Sequence, residues 1–244
     1  MRTAPTVGFI YPDHAAEDDY PLAAGRLGVE LPVAHIYGTD LHAVPELLDL
    51  GSPARLADGA RLLAEQHPHA VVWACTSGSF VYGPEGAEEQ VDQLAQVTGV
   101  PTSSTSRAYL AALAALGLTR VAVAASYPDD VAQLFVDYLA FAGVDVVSFS
   151  SAGIDTAAEV GELSPDQVTA LATDHDHPDA QALLIPDTAM RTLAVLPDLE
   201  RRLGKPVLTA NQVTIWEGLR LAEAPLYSAR LGALFVEGRV DAGR

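Results

Sequence analysis

The chain of 244 residues carries 14 basic and 32 acidic side chains, which give it a formal net charge of −18 at neutral pH. Such a charge opposes binding to nucleic acid or to an anionic membrane surface, both of which attract basic proteins. Hydrophobic residues make up 49% of the chain, enough for a large core, yet no apolar run reaches the length of a membrane span.

Strand-like and helix-like segments alternate along the chain, which is the pattern of a parallel α/β fold. Strands are predicted at residues 6–11, 29–36, 70–74, 120–125, 144–150, 182–185 and 206–208, with a further proline-led strand at Pro101. Helices are predicted at residues 54–66, 88–98, 107–116, 128–142, 164–173, 193–203 and 213–221. Short segments with glycine and proline join these elements.

The two halves of the chain repeat one pattern. The first strand ends in Tyr11-Pro12-Asp13, and a strand in the second half leads into Tyr127-Pro128-Asp129. Sixty-four residues after the first tyrosine comes Cys75-Thr76, and sixty residues after the second comes Asp187-Thr188. Each of these pairs follows an apolar strand and precedes a helix and a proline-led strand. The repeat indicates a duplication.

This duplication predicts two pseudo-symmetric Rossmann-like lobes, each with a mostly parallel sheet flanked by helices. We expect an N-terminal lobe at residues 1–117, completed by a C-terminal helix at 213–240, and a C-terminal lobe at 118–212. Ligands of open parallel sheets bind beyond the carboxyl ends of the strands. The active site is therefore expected in the cleft between the lobes, with Cys75 and Asp187 facing each other across it.

Cys75 is the only cysteine, so an intrachain disulfide is excluded and a reducing compartment is expected. It follows a buried strand and precedes a Thr-Ser-Gly-Ser turn that leads into a helix. The N–H groups of that turn and the positive end of the helix should lower the thiol pKa and favour the reactive thiolate. The alternative is an inert core cysteine, because a free cysteine behaves as a small hydrophobic residue.

Asp187 occupies the matching turn of the second half and is the candidate acid or base opposite Cys75. A charged carboxylate nearby would disfavour the thiolate, so the two groups are expected to share one proton and to titrate as a pair. The alternative role for Asp187 is the N-cap of a helix that follows the strand.

Three segments resemble the aspartate/glutamate racemase superfamily, and within it the branch of maleate cis-trans isomerase, arylmalonate decarboxylase and the ectoine-utilisation proteins. They are the turn after Cys75, the segment Ser126-Tyr127-Pro128-Asp129-Asp130-Val131 and the helix Leu196-Pro197-Asp198-Leu199-Glu200-Arg201-Arg202-Leu203-Gly204. The resemblance implies two similar lobes around a cleft and an enzyme that needs neither a metal nor an organic cofactor.

The chain departs from that branch at the second-lobe position. Racemases and maleate isomerases resemble one another in having a cysteine in each lobe, whereas arylmalonate decarboxylase keeps only the second-lobe cysteine. Here Cys75 stands at the first position and Asp187 at the second. This exchange puts both two-thiol racemisation and decarboxylation of the known type in doubt.

The resemblance also implies a cradle for a substrate carboxylate, in which hydroxyl and N–H groups stabilise an enediolate. The residues assigned to substrate binding are Thr76, Ser77, Tyr127 and Thr188, together with Pro12 and His14 from the first loop. The first loop is acidic, which disfavours a second substrate carboxylate and makes maleate a weaker candidate. Turn formation is the alternative role for the serine and threonine residues, and a boundary aromatic residue is the alternative for the tyrosine.

The leading hypothesis is a cofactor-independent isomerase or racemase acting on the carbon beside a carboxylate. Decarboxylation by the same cradle and non-catalytic carboxylate binding are the two alternatives. No grouping of histidine, cysteine and aspartate has the spacing of metal ligands, so no metal site is predicted. No secretory signal is visible, so a cytoplasmic protein is expected, with a homodimer as its oligomeric state.

Overall fold

The computed structural model describes residues 4–12 and 15–238, and its strands form two four-stranded parallel sheets. The first sheet contains β1 (Val7–Tyr11), β2 (Val33–His35), β3 (Ala70–Trp73) and β4 (Thr102–Ser104). The second contains β5 (Arg120–Ala125), β6 (Asp145–Ser151), β7 (Ala182–Ile185) and β8 (Val207–Thr209). The strand orders are β2-β1-β3-β4 and β6-β5-β7-β8. One topology therefore occurs twice in chain order, and the predicted α/β fold is confirmed.

Helices flank both sheets. They are α1 (Asp19–Leu27), α2 (Val44–Leu50), α3 (Pro53–Leu63, extended by a 3₁₀ turn at Ala64–Gln66), α4 (Ser77–Phe80), α5 (Gly83–Thr98), α6 (Thr105–Leu116), α7 (Asp129–Phe141), α8 (Ala157–Gly161), α9 (Pro165–Asp174), α10 (Leu196–Leu203), α11 (Ala210–Leu221) and α12 (Leu234–Glu237). Helix α1 and the short helices α2 and α8 were not predicted from the sequence.

The central strands β1, β3 and β7 are buried at every residue, as expected for parallel sheets covered by helices on both faces. The edge strand β2 is shorter than the predicted 29–36. Pro32 has no N–H to donate, and the ladder with β1 begins only at Val33. An isolated bridge between Thr6 and Glu30 is what remains of the predicted strand's first half.

Helix α11 follows β8 of the second sheet. It packs, however, against β3 of the first sheet and against α6, the helix that follows β4 of that sheet. Gly218 permits this close approach, because a Cβ at that position would lie 2.6 Å from Val7 Cγ1. The predicted continuous helix at 213–240 is wrong over the described residues, since α11 ends at Leu221 and Pro225 prevents its continuation. The predicted lobe boundaries stay a prediction, and residues 239 and 240 lie outside the described residues.

A buried polar network joins the start of α1 to the turn that follows β7. The Asp19 carboxylate accepts hydrogen bonds from the Thr192 backbone N–H at 3.2 Å and from Asn211 Nδ2 at 3.1 Å. Asn211 Nδ2 also lies 3.1 Å from the Thr188 carbonyl oxygen. The network fixes the position of Thr188 relative to the first sheet.

Candidate active site

A pocket lies beyond the carboxyl ends of strands from both sheets and opens to the surface. Tyr11 ends β1, Cys75 follows β3 and Asp187 follows β7, and all three line this pocket. The structure therefore brings together the two residues that the repeated pattern singles out. Strand ends in parallel sheets are the usual place for such sites.

The turn after β3 holds the Cys75 sulfur in a polar environment. The Gly78 N–H donates to Sγ at 3.3 Å, and Ser77 Oγ lies 3.7 Å from it. The turn is fixed from behind by Gln90 of α5, whose Nε2 donates to the carbonyls of Gly51 at 2.7 Å and Gly78 at 2.9 Å. The predicted strand, turn and helix are all present, although the helix α4 spans only four residues.

The predicted lowering of the Cys75 pKa is wrong. Burial raises the pKa of this thiol from its ordinary value near 9 to about 11, because removing a thiolate from water costs more than its hydrogen bonds return. The donors at Gly78 and Ser77 act in the opposite direction, and the negative charge of Asp187 raises the pKa further. Cys75 is therefore a neutral thiol at neutral pH.

Asp187 is 3% exposed and is held by two hydrogen-bond donors. Ala189 N–H donates to Oδ1 at 2.9 Å, and the Ser126 hydroxyl donates to Oδ2. The alternative role as a helix N-cap is wrong, because the chain forms turns after Asp187 and the next helix, α10, begins at Leu196. The carboxylate instead closes an Asx turn at the pocket wall.

The other predicted binding residues fall into three groups. Ser77, Thr188 and Pro12 line the pocket beside the two central groups. Tyr127 and Thr76 lie behind the wall: the tyrosine hydroxyl donates to the Pro186 carbonyl at 2.6 Å, and the Thr76 carbonyl accepts from Ser106 Oγ at 2.8 Å. These two residues back the site in this structure rather than reaching into it. His14 lies outside the described residues.

Sequence reasoning missed four polar pocket residues, which are Tyr11, Thr39, Asp40 and His42. Tyr11 was noted only as part of a repeated motif, yet its hydroxyl donates to the Thr188 carbonyl at 2.8 Å and so links the lobes at the site. His42, on the loop after β2, lies with Nε2 3.8 Å from Asp187 Oδ2. His42 lies seven residues beyond the end of β2, and no local pattern in the sequence marks it.

The remaining wall of the pocket is apolar and carries little positive charge. Leu41, Leu47 and Leu50 line it from the β2–α2 region. Asp40 and Asp187 contribute carboxylates, and among the described lining residues His42 is the one side chain that can become a cation. The pocket therefore favours a mostly apolar molecule with few negative charges.

Comparison with known proteins assigns the chain to a family. The sequence model of the family described as arylmalonate decarboxylase matches residues 52–235. The chain belongs to the arylmalonate decarboxylase family. The chain is 31% identical to the arylmalonate decarboxylase of Bordetella bronchiseptica over 225 residues. The aligned region covers 91% of this chain and 92% of that protein. The predicted superfamily and branch are confirmed.

Solved structures of the family share the fold. A liganded variant of arylmalonate decarboxylase, with one glycine changed to cysteine and one cysteine to serine, has a TM-score of 0.83 and 27% identity, covering 95% of this chain and 99% of that one. A cysteine-to-serine variant of Nocardia farcinica maleate cis-trans isomerase, with a covalently bound succinylcysteine intermediate, has a TM-score of 0.88 and 23% identity, covering 97% and 100%.

Two further features are absent from the residues that the structure describes, namely a membrane-crossing helix and a cluster of metal-ligating side chains. None of its helices there combines the length and the hydropathy that a membrane crossing requires. Within residues 4–12 and 15–238, histidine, cysteine, aspartate and glutamate form no group of three or more placed to hold a metal ion. The absence of a cofactor stays a prediction.

Proposed function

We propose that the protein is a cofactor-independent enzyme that isomerises or racemises a small organic acid at the carbon beside its carboxylate. The observation that carries this proposal is that Cys75 and Asp187 line one pocket from the ends of equivalent strands in the two sheets. Groups on opposite sides of one carbon are what inversion or proton transfer at that carbon requires.

The protonation of the pair suits this reaction. The raised pKa keeps a proton on the Cys75 sulfur, while Asp187 accepts hydrogen bonds at both carboxylate oxygens. Asp187 takes the proton from one face of the carbon, and the C–H electron pair stays on the substrate as an enediolate. Cys75 then gives its S–H proton to the opposite face and becomes a thiolate. That Cys75 and Asp187 titrate as a pair stays a prediction.

Ser77 and Thr188 are the proposed binding groups for the substrate carboxylate, since both line the pocket beside the central pair. Donors aimed at the developing enediolate lower the barrier, and loss of one such donor typically costs about 10²–10³ in rate. Tyr127 and Thr76 are proposed to support this cradle from behind, and Pro12 to close its rim.

The proposed substrate carries one carboxylate and an apolar group. The leucine wall would contact the apolar group, and the carboxylates of Asp40 and Asp187 would repel a second substrate carboxylate. This choice of substrate makes maleate itself a poor candidate.

Deuterium exchange tests the proposal. Candidate acids are incubated with the enzyme in D₂O, and incorporation of deuterium at the carbon beside the carboxylate is followed by NMR. We expect exchange with inversion or isomerisation by the wild type and a loss of at least ~10²-fold in Cys75→Ala. Full activity in Cys75→Ala, or no exchange and no conversion with any candidate, would remove this mechanism.

Decarboxylation is the second candidate, favoured by the likeness to the Bordetella enzyme and by the protonated thiol. Loss of carbon dioxide from a malonate would leave the same enediolate, and Cys75 would protonate it. Release of carbon dioxide from a disubstituted malonate, without α-deuterium exchange of a monocarboxylate, would favour this candidate over the first.

The succinylcysteine of the maleate isomerase variant supports a further role for Cys75. In an isomerisation about a double bond, sulfur attacks carbon, rotation occurs in the adduct, and the C–S bond then breaks. Intact-mass spectrometry during turnover distinguishes this route, because only covalent attack adds the substrate mass to the chain.

A cytoplasmic location and a homodimer complete the proposal. The single, unpaired cysteine supports the location, and closed two-fold dimers are the commonest oligomers of soluble enzymes. Light scattering on the purified protein measures the oligomeric state directly.

A further inference from the structure

The His42 imidazole lies at the pocket wall beside Asp187, where the proposed function has so far given it no part. Its Nδ1 lies 3.0 Å from the Ile154 carbonyl oxygen. A carbonyl oxygen only accepts hydrogen bonds, so Nδ1 carries a proton. Nε2 is therefore the ring nitrogen that can gain or lose a proton, and it is the one that faces Asp187.

The ring is held in this orientation on several sides. Tyr127 packs edge-on against it, with ring centroids 4.9 Å apart and planes at 89°. The His42 backbone N–H donates to the Asp155 carbonyl at 2.7 Å, and the side chain is only 4% exposed. The direction from Nε2 to the carboxylate is thus built into the loop after β2.

Nε2 and Asp187 Oδ2 are near neighbours within the pocket wall. At 3.8 Å the two atoms are too far apart for a hydrogen bond. A ring nitrogen without a proton and a carboxylate oxygen both present lone pairs, so neither can donate to the other. One added proton would turn the contact into a charge-assisted hydrogen bond and close it.

We propose that His42 takes up the proton that Asp187 removes from the substrate, an assignment that rests on the proposed function. Asp187 receives the proton as the C–H bond breaks, and the electron pair stays on the substrate. The proton then passes from the carboxyl group to Nε2, which leaves an imidazolium beside a carboxylate. Cys75 meanwhile protonates the other face and becomes a thiolate. The pocket's total charge is unchanged, and proton exchange with water restores the resting state.

The charges around the ring favour this transfer. The titratable groups that face the same pocket or contact the ring are Tyr11, Asp40, Cys75, Tyr127 and Asp187. Each of these side chains is neutral or negative in every protonation state. An imidazolium is therefore stabilised here by its neighbours, most strongly after Cys75 has become a thiolate.

The variant His42→Asn tests this assignment, because its amide can still donate to the Ile154 carbonyl but cannot take up a proton. We expect kcat to fall ~10²-fold, KM to stay within about threefold and the pH profile of kcat to lose one ionisation. The matched control is His69→Asn on the surface, whose kcat should be that of the wild type. A kcat for His42→Asn within about threefold of the wild type, or a loss that follows the melting temperature alone, would overturn the assignment.

A second measurement separates this assignment from the proposed function. In ¹⁵N NMR spectra of the ligand-free protein at about pH 8, we expect His42 to carry its proton on Nδ1 and none on Nε2. A proton on Nε2 under these conditions overturns the relay, whether or not an acid is turned over. Absence of α-proton exchange in the wild type, by contrast, removes the proposed function.

Discussion

At the scale of single residues, the site depends on a competition between burial and hydrogen bonding at Cys75. The sequence shows the donors of the turn, and they do reach the sulfur. It does not show that Cys75 is only 4% exposed and that this burial outweighs the effect of the donors on the thiol pKa. The resulting neutral thiol complements the carboxylate of Asp187, so one proton is available for donation while the other group is ready to accept one.

The thiol pKa makes a direct prediction for alkylation by iodoacetamide. Because only the thiolate reacts, the rate should be low near neutral pH and rise about tenfold for each pH unit until the pH approaches about 11. Mass spectrometry of the modified chain over a pH series measures this rate. A rate that levels off below about pH 8 would show that the thiol pKa is lowered instead.

His42 shows why part of the site could not be predicted at this scale. Its function is inferred from contacts with Ile154 and Asp187, which lie more than one hundred residues away along the chain. A histidine in a loop between a strand and a helix has no local pattern that reveals such partners. Cys75 and Asp187 were predictable because the duplicated sequence marks them both.

At the scale of elements, the strand–turn–helix unit around Cys75 places the sulfur. Gly78 lies in α4, and a Cβ there would be 3.2 Å from Cys75 Sγ and 3.0 Å from Trp73 Cζ2. Both contacts are tighter than ordinary van der Waals packing, and the neighbouring Gly51 leaves no space behind the turn. The glycine is therefore needed for close approach of the backbone to the thiol.

Gly78→Ala should displace the sulfur and reduce α-proton exchange, and the added methyl group should cost about 1–3 kcal/mol of unfolding free energy. Chemical denaturation and the deuterium assay measure the two effects. The matched control is Gly25→Ala in α1, where no atom lies within 4 Å of the added Cβ. That change should stabilise the protein by about 0.5–1 kcal/mol, as alanine does in a helix, and leave the exchange rate unchanged. Equal activity in the two variants would contradict this account of the turn.

The sequence predicts the central strands well and misses several helices, and both outcomes have physical reasons. The central strands are continuous apolar runs bounded by turn residues, and their predicted limits match the structure to within a residue or two. Helix α1 starts among acidic residues, and α2 spans only seven residues. Neither helix therefore has a long stretch of apolar residues at helical spacing. Their positions are set by packing onto the first sheet, which local patterns do not contain.

At the scale of the whole molecule, buried polar contacts hold the sheets together around the pocket. Tyr109 of α6 donates to the Ile185 carbonyl of β7 at 2.6 Å, and Asp19 joins α1 to the turn after β7. Burial raises the pKa of Asp19 to about 6, although its hydrogen bonds act to lower that pKa. A carboxyl group whose charged form is disfavoured by burial therefore lies within the contact between the lobes.

This raised pKa predicts how stability depends on pH. The folded protein binds the Asp19 proton more tightly than the unfolded chain, so the free energy of unfolding should fall as pH rises from about 4 to about 6. The Asp19 contribution over this window is about 3 kcal/mol, and it is present below the window and lost above it. Asp19→Asn should remove that contribution, whereas Asp18→Asn should keep most of it, because the exposed Asp18 is the smallest of the causes that act on the Asp19 pKa. Denaturation curves at several pH values measure the difference, and identical pH dependence in all three proteins would contradict the prediction.

The arrangement of Cys75 and Asp187 around one substrate is tested most directly by a crystal structure with a turned-over acid, or its unreactive analogue, in the pocket. We predict the carbon beside the carboxylate to lie between the two groups, with Sγ and a carboxylate oxygen each about 3–3.5 Å away on opposite faces. A ligand that contacts both groups from the same face, or that binds away from either of them, would contradict the account.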